Sequence, residues 1–320
     1  RRQRQMCIRD RRMLGDNWEL NHVGLMITNR NATLRHFQSI GVGVSVGPQP
    51  LLPHEPGEGS LMYYRTLEGD PVTNTYRTGG AHTFNDGESQ IGDCQLECYP
   101  MRPGPGMFIS EYLEKQGPGI NHICFNSDTI VRDRFLDNDC ALVFDARVNG
   151  RTVENYLDTR KFGNMMISLR PPPTDWERSW KANNEAHPLV NDWRFRGVGI
   201  GVRDLDSTVS YYEELGFSRV DDRKEVPGLE TERQSLRVGP ILFDFSSITS
   251  EASVYRESLK RRGEGVNDLA FEVSDLEQET DKLKQKGVEV LARYQDKSEA
   301  YFDTRGEGNI MIRLMQGKSS

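Results

Sequence analysis

The chain repeats itself, and the repeat limits its fold more than any other feature. Asn21-His22-Val23-Gly24-Leu25 through Phe37-Gln38-Ser39-Ile40-Gly41-Val42 recurs as Arg196-Gly197-Val198-Gly199-Ile200 through Tyr212-Glu213-Glu214-Leu215-Gly216-Phe217, at a constant offset (196 against 21). Gly117-Pro118-Gly119-Ile120-Asn121-His122 is answered by Gly263-Glu264-Gly265-Val266-Asn267-Asp268. The closing segments match too: Tyr156-Leu157-Asp158-Thr159-Arg160 with Gly163-Asn164-Met165-Met166-Ile167-Ser168-Leu169 pairs with Tyr301-Phe302-Asp303-Thr304-Arg305 and Gly308-Asn309-Ile310-Met311-Ile312-Arg313-Leu314. Two related halves follow, each able to bury a core within a chain of 320 residues.

Each half divides again. A unit opens with a glycine-containing apolar strand, runs through a helix that ends at a glycine, and closes with strands. Helices are expected over 205–215, stopping at Gly216, and over 276–286, stopping at Gly287, because a helix end favours a residue of positive φ. Strands are expected at 288–292, 239–245 and 308–314 from β-branched content and alternation. The pattern predicts an α+β chain of four βαβββ units.

On this frame two histidines hold equivalent places. His22 and His122 each lie just inside a short apolar strand, and Glu97 stands on a third strand between Leu96 and Cys98. Taken singly, each is more often an ordinary strand residue than a ligand. Matched placement reverses that balance, because two imidazoles and a carboxylate are what a first-row divalent ion needs. Glu97 and Asp244 each follow a glycine, Gly92 and Gly239, by five residues, which supports placing them as equivalents. His36, His54, His82 and His187 fall in helix or loop contexts and receive no role.

These residues carry a family resemblance. Through Leu96-Glu97-Cys98-Tyr99-Pro100 and Glu111-Tyr112-Leu113-Glu114-Lys115-Gln116-Gly117-Pro118-Gly119-Ile120-Asn121-His122-Ile123-Cys124-Phe125, the chain resembles the vicinal oxygen chelate (glyoxalase, bleomycin resistance and extradiol dioxygenase) superfamily, nearest to the methylmalonyl-CoA epimerases. The resemblance spans about residues 19 to 316 and is poor between 44 and 90. It implies that units pair into two open, cup-shaped mixed sheets, each with a four-residue floor. In the first half that floor is His22, Glu97, His122 and Ser168, the serine standing where the family usually has glutamate. In the second it is Gly197, Asp244, Asp268 and Arg313. The first set suits one divalent ion, whether Co, Ni, Mn, Zn or Fe, with His22, Glu97 and His122 as ligands. The second offers no imidazole and places a permanent cation at the floor, so Arg313 is expected to pair with Asp244 or Asp268.

The domains implied are 18–172, with the metal site, and 193–317, without one, joined by a linker at 173–192 that begins in Pro171-Pro172-Pro173. Residues 1–12 resemble the translation of a transposase adapter used in sequencing libraries; a basic disordered arm is the alternative. The stretch 43–80 is longer than its counterpart and contains Met62-Tyr63-Tyr64, so it reads as a loop or hairpin over the cup that contacts substrate.

Composition narrows the partners. A net charge of −7 and dispersed basic residues give no footprint for nucleic acid. No run of about 18 apolar residues exists to span a membrane, and the five cysteines lack paired metal spacing, so they read as reduced thiols of a cytoplasmic protein. The expected partner is a small molecule, and a homodimer is compatible with the sequence. Metal-dependent epimerase, isomerase or lyase chemistry on an enolate of an acyl-CoA or similar oxygen-chelating substrate is the first reading. A non-haem iron dioxygenase acting on a ring or a 2-oxo acid is the second, and a metal-free binding protein the third. Glu154, Tyr156 and Asp158 lie near Ser168 in sequence, but no general acid or base is assigned.

Overall fold

The computed structural model describes residues 17–46, 60–65, 71–76, 87–100, 108–127, 129–138, 140–148, 151–173, 175–186, 188–294 and 298–317. The first half runs β1 (Glu19–Ile27), α1 (Arg30–Ser39), β2 (Val44–Val46), β3 (Ser60–Arg65), β4 (Pro71–Tyr76), β5 (Gly87–Ile91), β6 (Cys94–Pro100), α2 (Phe108–Gln116), β7 (Gly119–Asn126), α3 (Thr129–Asp137), β8 (Leu142–Val148), β9 (Arg151–Leu157) and β10 (Met166–Arg170). After α4 (Asp175–Glu185) come β11 (Arg194–Val202), α5 (Leu205–Leu215), β12 (Ser218–Arg219), β13 (Lys224–Val226), β14 (Thr231–Val238), β15 (Ile241–Ile248), α6 (Arg256–Arg262), β16 (Gly265–Val273), α7 (Leu276–Gln285), β17 (Val290–Arg293), β18 (Glu299–Phe302) and β19 (Met311–Gln316).

Each half forms one mixed sheet from its own two units. The first is ordered β2-β5-β6-β1-β7-β10-β9-β8-β3-β4, the second β12-β14-β15-β11-β16-β19-β18-β17 with β13 on β14. The opening strands of paired units meet antiparallel at the centre, β1 on β7 and β11 on β16, and each has a parallel closing strand outside it. The α+β reading in four units holds, and units pair within the chain.

Local chemistry explains the recurring turn from opening strand to helix. Asn29, Asp204 and Asp275 cap α1, α5 and α7, each side chain accepting from a backbone N–H three residues on. Gly216 ends α5 at φ 104, a conformation that a Cβ would strain. Some strand starts differ from expectation. The closing strand begins at Met311 rather than 308, because Asn309 (φ 53) still belongs to the preceding turn, and β15 begins after Gly239 (φ 54). The strand expected at 288–292 is found at Val290–Arg293.

The stretch 173–192 includes a helix, α4, tied to β1 by Arg178 to Glu19 and by Lys181 Nζ donating to the Leu20 carbonyl at 2.8 Å. Within 43–80, β3 and β4 form a hairpin that adds to β8 at the far edge of the first sheet. Residues 47–59, 66–70 and 77–80 of the insertion, the first twelve residues with Cys7, and His54, His82 and His187 lie outside the described residues. The other four cysteines are buried and unbridged. No helix among the described residues is long and apolar enough to cross a membrane, which says nothing of strand-built spans.

The halves clasp each other reciprocally. Tyr212 on α5 donates its hydroxyl to the Thr159 and Phe162 carbonyls, while His36 on α1 lies 3.0 Å from the Thr304 carbonyl. Leu25, Ile123 and Ile167 share one buried core with Ile200, Phe243 and Leu269.

Candidate metal centre

Strand register brings the three donors together. Gly24 pairs with Glu97 on one side and His122 on the other, and His122 with Met166. One step away His22 pairs with Cys124, Cys124 with Ser168, and Ser168 with Tyr156. Residues paired across strands share a face, so donors scattered along the chain project together. Gly24 is part of the construction. A Cβ there would lie 1.8 Å from the His122 ring, so the imidazole occupies the space of the absent side chain.

His22 Nε2 lies 2.7 Å from Glu97 Oε2 and 3.0 Å from His122 Nε2. The two rings are edge to face with centroids 5.2 Å apart. Their other nitrogens face the preceding residues: His22 Nδ1 lies 2.7 Å from Asn21 Oδ1, and His122 Nδ1 lies 2.6 Å from Asn121 Oδ1. An amide oxygen accepts, so each proton sits on Nδ1 and each Nε2 presents a lone pair. Tyr156 agrees with this, its hydroxyl lying 3.1 Å from His122 Nε2.

A doubly protonated His22 would make an ordinary ion pair with Glu97, but burial opposes it. Desolvation holds both imidazoles down to a pKa of about 3, with each other's charge a further penalty on His122. Two neutral nitrogens and a carboxylate oxygen therefore meet with electron pairs inward. Ligand bonds to a first-row ion run about 2.0–2.2 Å, so donors this close fit around a single cation. The donor set fits a divalent metal. All three ligand atoms lie within 4.8 Å of one another.

A second carboxylate adjoins the cluster. Glu154 on β9 has Oε1 3.9 Å from His22 Nε2; Ser168 donates its hydroxyl to that oxygen at 2.5 Å, and Arg170 donates to Oε2 at 3.1 and 3.2 Å. Burial opposes its charge, but the Arg170 guanidinium outweighs burial and holds the carboxyl below its usual range. Ser168 thus holds a carboxylate supplied by the neighbouring strand. Cys124 lies in the same row, and burial pushes its thiol well up. Asp158 is turned to Arg160 instead. A cavity of about 700 Å³ at the seam of the halves, lined by residues such as Tyr112, Arg160 and Tyr211, is bordered by none of the three donors.

The second half repeats the register with different chemistry. Gly199 pairs with Asp244 and Asp268, and Ala270 with Gly197 and Arg313, which makes the two four-residue sets equivalent. Arg313, 1% exposed, donates from Nη1 to Asp244 Oδ2 at 2.6 Å, and its Nε lies 3.0 Å from Asp268 Oδ1. The expected ion pair is present with both aspartates. Arg233 and Glu299 close the cluster at 2.9 Å, and Tyr255 donates to Asp268 at 2.5 Å. The Arg313 guanidinium thus stands at the register position that Ser168 holds in the first half, facing both aspartates.

Comparison with known proteins places this architecture. Residues 197–303 match the family model described as the Glyoxalase/Bleomycin resistance protein/Dioxygenase superfamily. A 4-hydroxymandelate synthase variant from Streptomyces coelicolor superposes with a TM-score of 0.62 at 14% identity, over 96% of this chain and 94% of that one. The chain has the vicinal oxygen chelate fold. Methylmalonyl-CoA epimerase from Mycobacterium tuberculosis matches at 26% identity over 39% of this chain and 88% of its own, TM-score 0.35. An epimerase variant from Streptomyces coelicolor, solved with 2-nitronate-propionyl-CoA, matches at 24% over 39% and 98%, TM-score 0.35. No curated protein matches the chain. Members of this superfamily bind divalent metals.

The sequence points to His22, Glu97 and His122 as candidates, and the structure brings the three together, but their supports are not evident from sequence. Gly24, Asn21, Asn121 and Arg170 were passed over, and Glu154 and Tyr156 had only their nearness in sequence. One signal was available: each strand histidine follows an asparagine.

Proposed function

We propose that this vicinal oxygen chelate protein is a metal-dependent enzyme that stabilises the enolate of an acyl-CoA or similar small oxygen-chelating substrate, with His22, Glu97 and His122 as ligands. The convergence of two imidazole nitrogens and a carboxylate oxygen, with His22 Nε2 2.7 Å from Glu97 and 3.0 Å from His122, carries this reading. A bound divalent cation supplies Lewis-acid stabilisation of negative charge developing on substrate oxygens. Glu97, with 13% of its side chain exposed, is the donor nearest solvent, while His22 and His122 are sealed. Glu154, kept ionised by Arg170 and hydrogen-bonded by Ser168, is a second carboxylate beside the cluster, and its oxygen also lies within ligand range of His22 and Cys124.

Epimerase or related proton-transfer chemistry is the first reading. A non-haem iron oxygenase is the second, favoured by one observation: two imidazoles and one carboxylate are the donor set such enzymes use. Deuterium exchange from solvent into the α-carbon of methylmalonyl-CoA and related acyl-CoAs, beside oxygen uptake with catechols and 2-oxo acids, separates the two. Exchange is expected, and His22→Ala and His122→Ala should each abolish it together with the bound metal. Oxygen uptake without exchange would overturn the first reading in favour of the second. Binding of a small molecule with neither activity would leave a cup that only sequesters its ligand.

A further inference from the structure

The lone pair on His22 is set from a distance. The carbonyl of Pro171, at the end of β10, can only accept a hydrogen bond, and Asn126 Nδ2 donates to it at 2.8 Å. That contact fixes which way the Asn126 amide lies. Its Oδ1 is thereby turned to Asn21, whose Nδ2 donates to it at 2.9 Å. The Asn21 amide is fixed in turn, with Oδ1 presented to His22 Nδ1 at 2.7 Å. Each link admits one direction, so the proton of the neutral imidazole is held on Nδ1 and Nε2 faces Glu97 and His122.

The chain contains its own control. Asn21 and Asn126 correspond to Arg196 and Glu272 in the second half, by the repeat and by strand register, since Glu19 pairs with Asn126 as Arg194 pairs with Glu272. There the two side chains form an ion pair at 2.9 Å, about two-fifths exposed, and the next residue is Gly197 instead of a histidine. Where the ligand is absent, so is the relay. His122 is also held differently. Asn121 Oδ1 faces its Nδ1, but Asn121 Nδ2 has no hydrogen-bond partner among the described residues, so the amide is oriented at the ring end alone and no relay extends behind it.

We propose that Pro171, Asn126 and Asn21 form a directional relay that locks His22 in the Nδ1–H tautomer, making Asn21 and Asn126 positioning residues and His22 the preset member of the metal site. The relay rests on the metal reading for its purpose but not for its existence. Ring-nitrogen NMR of the metal-free protein reads the tautomer directly, and titration with Co²⁺ reads its consequence.

In the unsubstituted protein His22 is expected with its proton on Nδ1. Asn126→Ala should mix the tautomers and weaken Co²⁺ binding, and Asn21→Leu should weaken it by about 10- to 100-fold, the range for losing such a supporting bond. Glu272→Ala, in the half that has no relay, should change nothing. A proton on Nε2 in the unsubstituted protein, or Asn126→Ala with unchanged tautomer and affinity, would overturn the relay. If the unsubstituted protein binds no Co²⁺, the metal reading fails while the ring-nitrogen spectrum still decides the relay.

Discussion

At the scale of single residues, the site depends on an absent side chain as much as on those present. Gly24→Ala would drive a methyl into the His122 ring, so the imidazole must leave its place to admit it. Overpacking of this kind costs about 1–3 kcal/mol, so Gly24→Ala should lower the urea midpoint and abolish metal binding by displacing one donor. The buried imidazoles also make a pH prediction. Their pKa values are depressed from 6.5 unfolded to about 3 folded, so between those values the unfolded chain binds more protons. The stability of the metal-free protein is therefore full above about pH 6.5 and is lost progressively as pH falls toward 3. Chemical denaturation across that range should show this slope, and it should be shallower in His22→Ala. His22, Glu97 and His122 were legible in the sequence because their positions within strands match. Gly24, Tyr156 and Glu154 were not, because their roles depend on which residue lies opposite which across strands, and alternation alone leaves register open.

At the scale of elements, caps and stops were readable and strand starts less so. Helix α5 occupies the expected residues because Asp204 and Gly216 act locally at its two ends. The closing strand β19 starts late because Asn309, a non-glycine residue at positive φ, still belongs to a turn, and residue preference does not announce that. The β3–β4 hairpin joins an edge formed by the other unit, a long-range pairing with no local signature. The second floor joins β14, β15, β16, β18 and β19 through Arg313 and Arg233. Burial there raises Asp268, whereas against the same burial Arg313 and Arg233 hold Asp244 below its usual range and bring Glu299 down to about 2. Removing one partner from such a buried cluster costs about 3–5 kcal/mol. Arg313→Leu should show that loss in equilibrium unfolding while the affinity of the first half for metal is unchanged.

At the scale of the whole molecule, duplication has produced two floors on one plan with opposite electrostatics. One gathers two neutral imidazoles and a carboxylate, and the other holds a permanent cation of its own. The halves share a buried core and clasp each other by matched contacts between helix and turn, so the second half supports the first without repeating its chemistry. The repeat in the sequence disclosed the plan, and Arg313 disclosed the divergence; the reciprocal clasp was hidden because its contacts are largely to backbone carbonyls. One prediction follows for the molecule as a unit: it binds a single divalent ion, not two. Elemental analysis and Co²⁺ titration of the full chain, beside His22→Ala, His122→Ala and Glu97→Gln, test this most directly. The account predicts one equivalent per chain in the unsubstituted protein and a large loss of affinity in each variant. No bound metal, or binding that survives all three substitutions, would contradict it.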